Sequence, residues 1–307
     1  MGYNCLVCVK QVPDTKRITG EAMTEDGTVN RASLPAIFNP EDLNALETAL
    51  AIRDAHGGTV TVLTMGLPSA CDVLRDSLCR GADRVVLVTD RKAAASDTLA
   101  TSYILSCAAR KLQPDIVLCG RQAIDGDTAQ VGPQLAEKLH MPVITYLEEL
   151  IGIDDGKITA RRNVGNGWET VACKLPVLLT VMETANVPRP PAARRMMKFK
   201  KARSRAEVEK QAAHLLEGDY ENYTAELKAI EVEKYCKGLA EKGLLIEQWS
   251  LADVDADLAW CGRDGSPTKV HRIQSVVLTG GEYREHAPTD EGVSELIAEL
   301  IHEHTIG

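Results

Sequence analysis

The sequence predicts a doubly wound α/β protein with a mainly parallel sheet, an antiparallel extension of that sheet and a C-terminal arm. Residues 1–182 alternate between short β-rich apolar runs and longer segments of helical period, which is the pattern of parallel βαβ units. Turn signals replace the helical segments after Leu147, and basic, proline-rich sequence follows Thr184. With 307 residues, of which 44% are hydrophobic, the chain can fill a core of this size.

The parallel part is predicted to alternate strands with helices. The strands are Cys5–Val9, Thr59–Thr64, Arg84–Val88, Asp115–Cys119 and Val143–Tyr146. The helices lie near Glu41–His56, Ser69–Cys79, Asp97–Lys111 and Thr128–Leu139. In the second helix Val73, Leu74 and Leu78 repeat at helical spacing, and Gly81 follows as a C-terminal stop.

An antiparallel extension is predicted between Leu147 and Met182. The turn signals Asp154-Asp155-Gly156 and Gly165-Asn166-Gly167 separate short strands there, and the last strand is Val177–Val181. We therefore expect the α/β domain to span residues 1–187.

Residues 188–307 are predicted to form an arm outside that core. The arm begins with a basic run from Arg189 to Arg205 and continues with a charged, helix-favouring insert at about 203–247. A strand-like run, Ile273–Leu278, comes next. In a final amphipathic helix the apolar side chains share one face, which must pack on something; they are Val293, Leu296, Ile297, Leu300 and Ile301.

Charge and the N-terminal sequence exclude several classes of partner. The net charge of -9 argues against a nucleic-acid partner, and the basic run contains a single aromatic residue, Phe199, so an arm that binds a partner subunit is favoured. The apolar run Met1–Val9 has no preceding basic region and stops at Lys10, which indicates a buried strand and neither a signal peptide nor a membrane span. The expected location is cytoplasmic.

Neither a metal site nor a catalytic residue is predicted. Cys5 and Cys8 are spaced as C-x-x-C, but they lie within a strand, where positions three apart point to opposite faces of the sheet. His302 and His304 stand two apart on a helix and point in different directions. No hydrolytic pair of nucleophile and base is visible either.

The most informative segment is the loop Gly120–Gly132, GRQAIDGDTAQVG, which follows a strand and enters a helix. In open α/β sheets ligands bind at the carboxyl ends of the strands, where the strand order reverses. Asp127 or Thr128 can cap the helix, and the backbone N–H groups of Thr128, Ala129 and Gln130 suit a phosphate. The sequence therefore predicts an anion site in this loop.

Two features leave the loop's role open. It is neither G-x-G-x-x-G nor a P-loop, and its glycines could serve only turns and close packing. Asp125 and Asp127 would also repel a phosphate, which capping by Asp127 and a basic neighbour such as Arg121 would offset only in part.

Several blocks together resemble the electron-transfer flavoprotein beta subunit. They occur in the family's order over about residues 4–201 and return near residue 262; they are Cys8–Asp14, Phe38-Asn39-Pro40, Ala45–Leu50, Thr64-Met65-Gly66, Asp97–Thr101, Gly120–Gly132 and Gly265–Val270. The sequence departs from the family in the turn Arg162–Glu169, which tolerates exchange, and in roughly 40 extra residues after Arg203. Because of this insert, contacts made by the arm cannot be carried over from the family.

The resemblance implies an adenine-nucleotide-binding fold and a set of cofactor-binding residues. Those around the adenosine or flavin would be Val9, Asn39, Met65, Gly66, Cys119, Gly120, Gln122, Ala123 and Ile124. Those at the phosphates would be Thr98, Asp127, Thr128, Ala129, Gln130 and Val131, with Asp125 and Gly126 in the same loop.

The loop Asp125–Pro133 resembles that of the electron-bifurcating beta subunits. This implies FAD, with AMP as the alternative, NADH as the electron donor and an alpha subunit as the partner. Further partners would be ferredoxin or flavodoxin and a flavin-containing or iron–sulfur dehydrogenase. Two other functions remain open. One is a beta subunit with purely structural AMP, and the other is an ATP-pyrophosphatase-like or sensor protein of the same architecture.

Overall fold

A computed structural model describes residues 2–14, 35–215, 224–269 and 285–302. Its main feature is a ten-stranded mixed sheet in the order β11-β12-β5-β4-β1-β6-β10-β7-β8-β9, and β2 pairs separately with β3. The strands are β1 Tyr3–Cys8, β2 Gln11–Pro13, β3 Ala36–Phe38, β4 Gly58–Met65, β5 Arg84–Val88, β6 Ile116–Gly120, β7 Val143–Asp154, β8 Lys157–Asn163, β9 Trp168–Lys174, β10 Val177–Val181, β11 Arg203–Ser204 and β12 Leu245–Trp249.

Helices cover both faces of the sheet, which confirms the doubly wound α/β fold. The helices are α1 Pro40–His56, α2 Cys71–Arg80, α3 Thr98–Leu112, α4 Val131–Leu139, α5 Ala193–Phe199, α6 Arg205–Leu215, α7 Ala225–Glu241 and α8 Asp290–His302. Alternate residues of β1 enter different cores: Cys5 and Val7 pack with α1 and α2, whereas Leu6 and Cys8 pack with α3 and α4. Cys5 and Cys8 therefore point to opposite faces, as their spacing predicts.

The strand order reverses between β1 and β6. From β1 the chain proceeds to β4 and β5 on one side, and then crosses to β6 on the other side of β1. The two strands run parallel, so that the loops after Cys8 and after Gly120 leave the same edge of the sheet. This is the position at which open α/β sheets bind ligands.

The antiparallel extension is formed by β7, β8 and β9, which pair in succession. The predicted strand Val143–Tyr146 is the first part of the longer β7. Its register against β10 shifts between Leu179 and Val181, and Tyr146 lies at this irregularity with a positive φ of 56°.

The helix after the loop Gly120–Gly132 begins later than the sequence predicts. It starts at Val131 and not at Thr128, with Gln130 as its N-cap and no side-chain cap. Asp127 and Ala129 have φ values of 49° and 52°, which a right-handed helix does not permit. The expectation that Asp127 or Thr128 caps this helix was therefore wrong.

Part of the segment expected to form an arm belongs to the sheet. β12 pairs in parallel with β5, and β11 pairs with β12, so residues 203–204 and 245–249 extend the sheet edge. Their predicted place outside the core was wrong, because β5 offers an unpaired edge and the apolar side chain of Ile246 is 1% exposed against the core. The insert is helical, as predicted: α6 and α7 pack together around Val208, Val232 and Leu239.

The basic run is also bound to the domain. Arg189 donates to Glu47 (2.8 Å) and to Asp54 (2.9 Å), and Arg195 donates to the carbonyls of Leu78 (2.6 Å) and Ala82 (2.7 Å). Several of its charges therefore serve contacts within the chain.

The final amphipathic helix, α8, leaves its apolar face open in the described part of the chain. Val293, Leu296, Ile297 and Ile301 are 40–53% exposed. The predicted strand Ile273–Leu278 and His304 lie outside the described residues. Among those residues no helix is both long and apolar enough to cross a membrane.

Candidate functional site

The N-terminus of α1 holds the loop that follows β6. Asn39 Nδ2 donates to the carbonyl of Gln122 (2.9 Å), and Asn39 Oδ1 accepts from the N–H of Ile124 (3.1 Å). Glu41 accepts from the N–H of Gln122 (2.8 Å). Asn39 is fully buried and makes no side-chain cap on its own helix, so its polar atoms fix the loop backbone.

Asp42 connects that loop to the loop after β1. Its Oδ2 accepts from the N–H of Lys10 (2.8 Å) and its Oδ1 accepts from the N–H of Gly120 (3.0 Å). Burial raises the pKa of Asp42 to about 7, although the hydrogen bonds from Lys10, Asn39 and Gly120 favour the charged form. A Cβ at Gly120 would lie 2.4 Å from Asp42 Oδ1, so only glycine allows this approach.

The acidic side chains of the loop are paired. Lys10 Nζ contacts both carboxylate oxygens of Asp125, at 2.7 and 2.8 Å, and Gln122 Nε2 donates to Asp127 (3.1 Å). Arg121, expected to offset these acids, instead pairs with Glu41 at 3.0 Å. The charge that counters Asp125 therefore comes from Lys10, which was not among the predicted site residues.

The N-termini of α3 and α4 meet beside the loop. Thr98 Oγ1 donates to Gln130 Oε1 (2.8 Å), which joins the first residue of α3 to the N-cap of α4. The N–H groups of Thr128, Ala129 and Gln130 donate to no other described residue. With the positive ends of two helix dipoles close by, these donors can bind an anion.

Some of the remaining predicted residues are buried, and the others are accessible to solvent. Val9 and Cys119 are 6% exposed, and their side chains pack in the two cores. A hydrogen bond with the Cys8 thiol and burial hold the pKa of Cys119 well above its usual value. Met65, Gly66, Ala123 and Val131 are partly exposed, whereas Gly126 is exposed with open space around it.

A C-terminal segment reaches the same edge of the sheet. The N–H of Asp97 donates to Ser266 Oγ (2.9 Å), and the N–H of Thr268 donates to Asp97 Oδ2 (2.9 Å). Asp97 also caps α3 through the N–H of Ala100 (2.9 Å). The block Gly265–Val270 carried the signal for this contact, but none of its residues was assigned to the site.

Two concave pockets of the described surface lie elsewhere. One lies between α1 and β7, and the other is at the amino end of the strands near Asn4 and Arg84. Neither includes a residue of the loops that follow β1 and β6. The candidate site is an open crevice between these loops.

The fold defines a doubly wound α/β protein, and the candidate anion site lies at the switch point of its sheet. A family model described as "Electron transfer flavoprotein domain" matches residues 26–215. The chain belongs to the electron transfer flavoprotein beta subunit family, whose members act in electron transfer and pair with alpha subunits.

Full-length relatives agree with this assignment. The chain is 37% identical over 303 residues to "Electron transfer flavoprotein subunit beta" of Clostridium acetobutylicum, covering 99% of this chain and 100% of that protein. It is 37% identical over 304 residues to "Caffeyl-CoA reductase-Etf complex subunit CarD" of Acetobacterium woodii, covering 98% and 99%. It is 38% identical over 304 residues to "Protein FixA" of Azorhizobium caulinodans, covering 95% and 92%.

Proposed function

We propose that this chain is the FAD-holding beta subunit of an electron-bifurcating complex. NADH would donate two electrons; one would pass to ferredoxin or flavodoxin and the other, through the alpha subunit, to a flavin-containing or iron–sulfur dehydrogenase. The observation that carries the choice of FAD is the open space at Gly126, beside the donors that precede α4.

The residues of the crevice fit a diphosphate. The N–H groups of Thr128, Ala129 and Gln130 form a row of donors at the positive end of α4, and Thr98 brings the start of α3 beside them. At Gly126 an acidic side chain would add both bulk and negative charge, and its absence leaves room for a second phosphate. Of the two acids in this loop, Asp125 has its charge countered by Lys10, and Asp127 accepts from Gln122 Nε2.

Bound FAD would supply the redox chemistry, accepting a hydride and passing on single electrons. The chain's own residues bind and orient. Asn39, Glu41 and Asp42 hold the loop against α1. The N-termini of α3 and α4 would hold the phosphates. The relative CarD is named as a subunit of a complex with a reductase, which supports a dehydrogenase-type partner for this chain.

AMP is the alternative, because the same donors can hold a single phosphate. The experiment is to co-express the chain with its alpha subunit, denature the purified complex and quantify the released nucleotides. Two FAD per complex without AMP are expected. One FAD with one AMP would overturn the FAD assignment and leave a beta subunit with structural AMP.

A pair of glycine variants sharpens this test. Gly126→Asp should lower the FAD content of the purified complex, because the new carboxylate would occupy the open space beside the phosphates. Gly167→Asp is the matched control, since Gly167 also has nothing within 4 Å and lies in a distant hairpin turn. Equal FAD content in both variants would contradict the role of Gly126.

The electron path is tested separately. NADH should reduce the purified complex, and reduction of ferredoxin should require the dehydrogenase and its oxidised substrate to be present as well. Ferredoxin reduction that proceeds without the second acceptor would contradict coupled transfer. We further propose a cytoplasmic location, which cell fractionation checks.

A further inference from the structure

We propose that Asp42 is a positioning residue: its carboxylate joins the loops after β1 and β6 and thereby sets the spacing of the nucleotide crevice between them. The inference rests on the proposed function, because it concerns the same site. It assigns to Asp42 no contact with the nucleotide itself.

The position of Asp42 follows from where the strand ladder ends. The last pair between β1 and β6 is Cys8 with Cys119. Beyond that pair the two strands are no longer paired with each other. The N–H groups of Lys10 and Gly120 instead donate to the two oxygens of Asp42, at 2.8 and 3.0 Å. One side chain of α1 thus replaces the backbone ladder at the mouth of the crevice.

A side chain with two acceptor oxygens is what this geometry requires. A carboxylate accepts with both oxygens, whereas an asparagine would present one oxygen and one NH₂ group to two N–H donors. Burying a charge costs free energy unless it is hydrogen-bonded. Asp42 is 6% exposed, and the hydrogen bonds from Lys10 and Gly120 offset part of that cost.

The neighbouring side chains complete the arrangement. Glu41 and Asn39 engage the N–H groups of Gln122 and Ile124. The N–H groups of alternate residues of this loop are therefore bound to α1, whereas those of residues 128–130 donate to no other described residue. The contacts with α1 thus determine which backbone N–H groups of the loop are left to bind the ligand.

The test compares Asp42→Asn, Asp42→Ala and the control Asn44→Ala in the full chain co-expressed with its alpha subunit. Asn44 lies on the same helix, is 3% exposed and also donates across the chain, to the carbonyls of Glu183 (3.1 Å) and Asn186 (2.8 Å). Neither of these hydrogen bonds involves the loops after β1 and β6. All three variants should lower the melting temperature.

Two measurements separate positioning from general stability. The first is the affinity of the nucleotide-stripped complex for FAD and AMP by calorimetry; both Asp42 variants should bind at least about tenfold more weakly, and Asn44→Ala should bind like the wild type. The second is hydrogen exchange, in which peptides containing Lys10 and Gly120 should exchange faster only in the Asp42 variants.

Wild-type affinity in both Asp42 variants would overturn the inference and leave the proposed function intact. An equal loss of affinity in Asn44→Ala would overturn it as well, because the effect would then be one of overall stability. A wild-type complex that binds neither FAD nor AMP would overturn the inference together with the proposed function. If Asp42→Ala does not fold, the nucleotide affinity of Asp42→Asn, which keeps the shape of the side chain, is the test.

Discussion

At the scale of single residues, the ion pair between Lys10 and Asp125 lies across the mouth of the crevice. We predict that Lys10→Ala weakens nucleotide affinity by roughly three- to tenfold, because Asp125 then repels the phosphates without a counter-charge. The double variant Lys10→Ala/Asp125→Asn should recover part of the loss. A double-mutant cycle by calorimetry at low and high salt measures this, and equal losses in the single and double variants would contradict it.

Asp42 carries a prediction for pH dependence. Its pKa in the folded chain, about 7, lies above the value of an unfolded aspartate, so the folded state holds the proton more tightly. The resulting stabilisation is fully present below about pH 4 and is lost as pH rises through 7. Relative to Asp42→Asn, the wild type should lose about 1.4 kcal/mol of unfolding free energy per pH unit within that window.

Denaturant unfolding of both proteins between pH 4.5 and 8 measures this difference. Glu41 acts on Asp42 in the same direction as burial, since its negative charge raises the pKa, whereas the hydrogen bonds from the N–H groups of Lys10 and Gly120 lower it. A wild-type stability that rises relative to Asp42→Asn over this range would contradict the prediction.

The limits of sequence reasoning are visible in these same residues. Gly120–Gly132 could be recognised because a glycine-rich loop between a strand and a helix has a local pattern. The link from Asp42 to Lys10 and Gly120 joins residues 32 and 78 positions apart. Such a link depends on which strands become neighbours, and no local pattern contains that information.

At the scale of elements, α6 and α7 form a small core of their own, separate from the two cores of the sheet. We predict that Leu239→Ala, at a side chain that is 7% exposed, costs roughly 2–3 kcal/mol of local stability. Hydrogen exchange should rise in residues 205–215 and 225–241, while nucleotide content stays unchanged. Leu227→Ala, at an exposed position of the same helix, is the control and should leave exchange as in the wild type.

The elements also differ in how well their bounds could be predicted. Arg84–Val88 and Val177–Val181 agree with the sequence, because continuous apolar runs mark strands buried on both faces. The start of α4 did not agree, since the left-handed backbone at Asp127 and Ala129 belongs to residues other than glycine. The place of β12 depends on the free edge of β5, which only the assembled sheet reveals.

At the scale of the whole molecule, α8 presents an apolar face to solvent in the described part of the chain. The sequence predicts this face correctly, and the partner that would cover it is the alpha subunit with which the family pairs. We predict that Ile297→Asp and Ile301→Asp weaken the complex with the alpha subunit, because each places a charge within an apolar contact.

The two isoleucines are 46% and 53% exposed, so neither change creates a cavity in this chain. The free subunit should therefore keep the melting temperature and far-ultraviolet circular dichroism of the wild type. Ala298→Asp is the matched control: it adds the same charge on α8 but lies outside the apolar face, about a third of a turn from its centre. Size-exclusion chromatography with light scattering, after co-expression, should show dissociation for the isoleucine variants and an intact complex for Ala298→Asp. If all three variants co-elute with the alpha subunit at the wild-type ratio, α8 does not contribute to that interface.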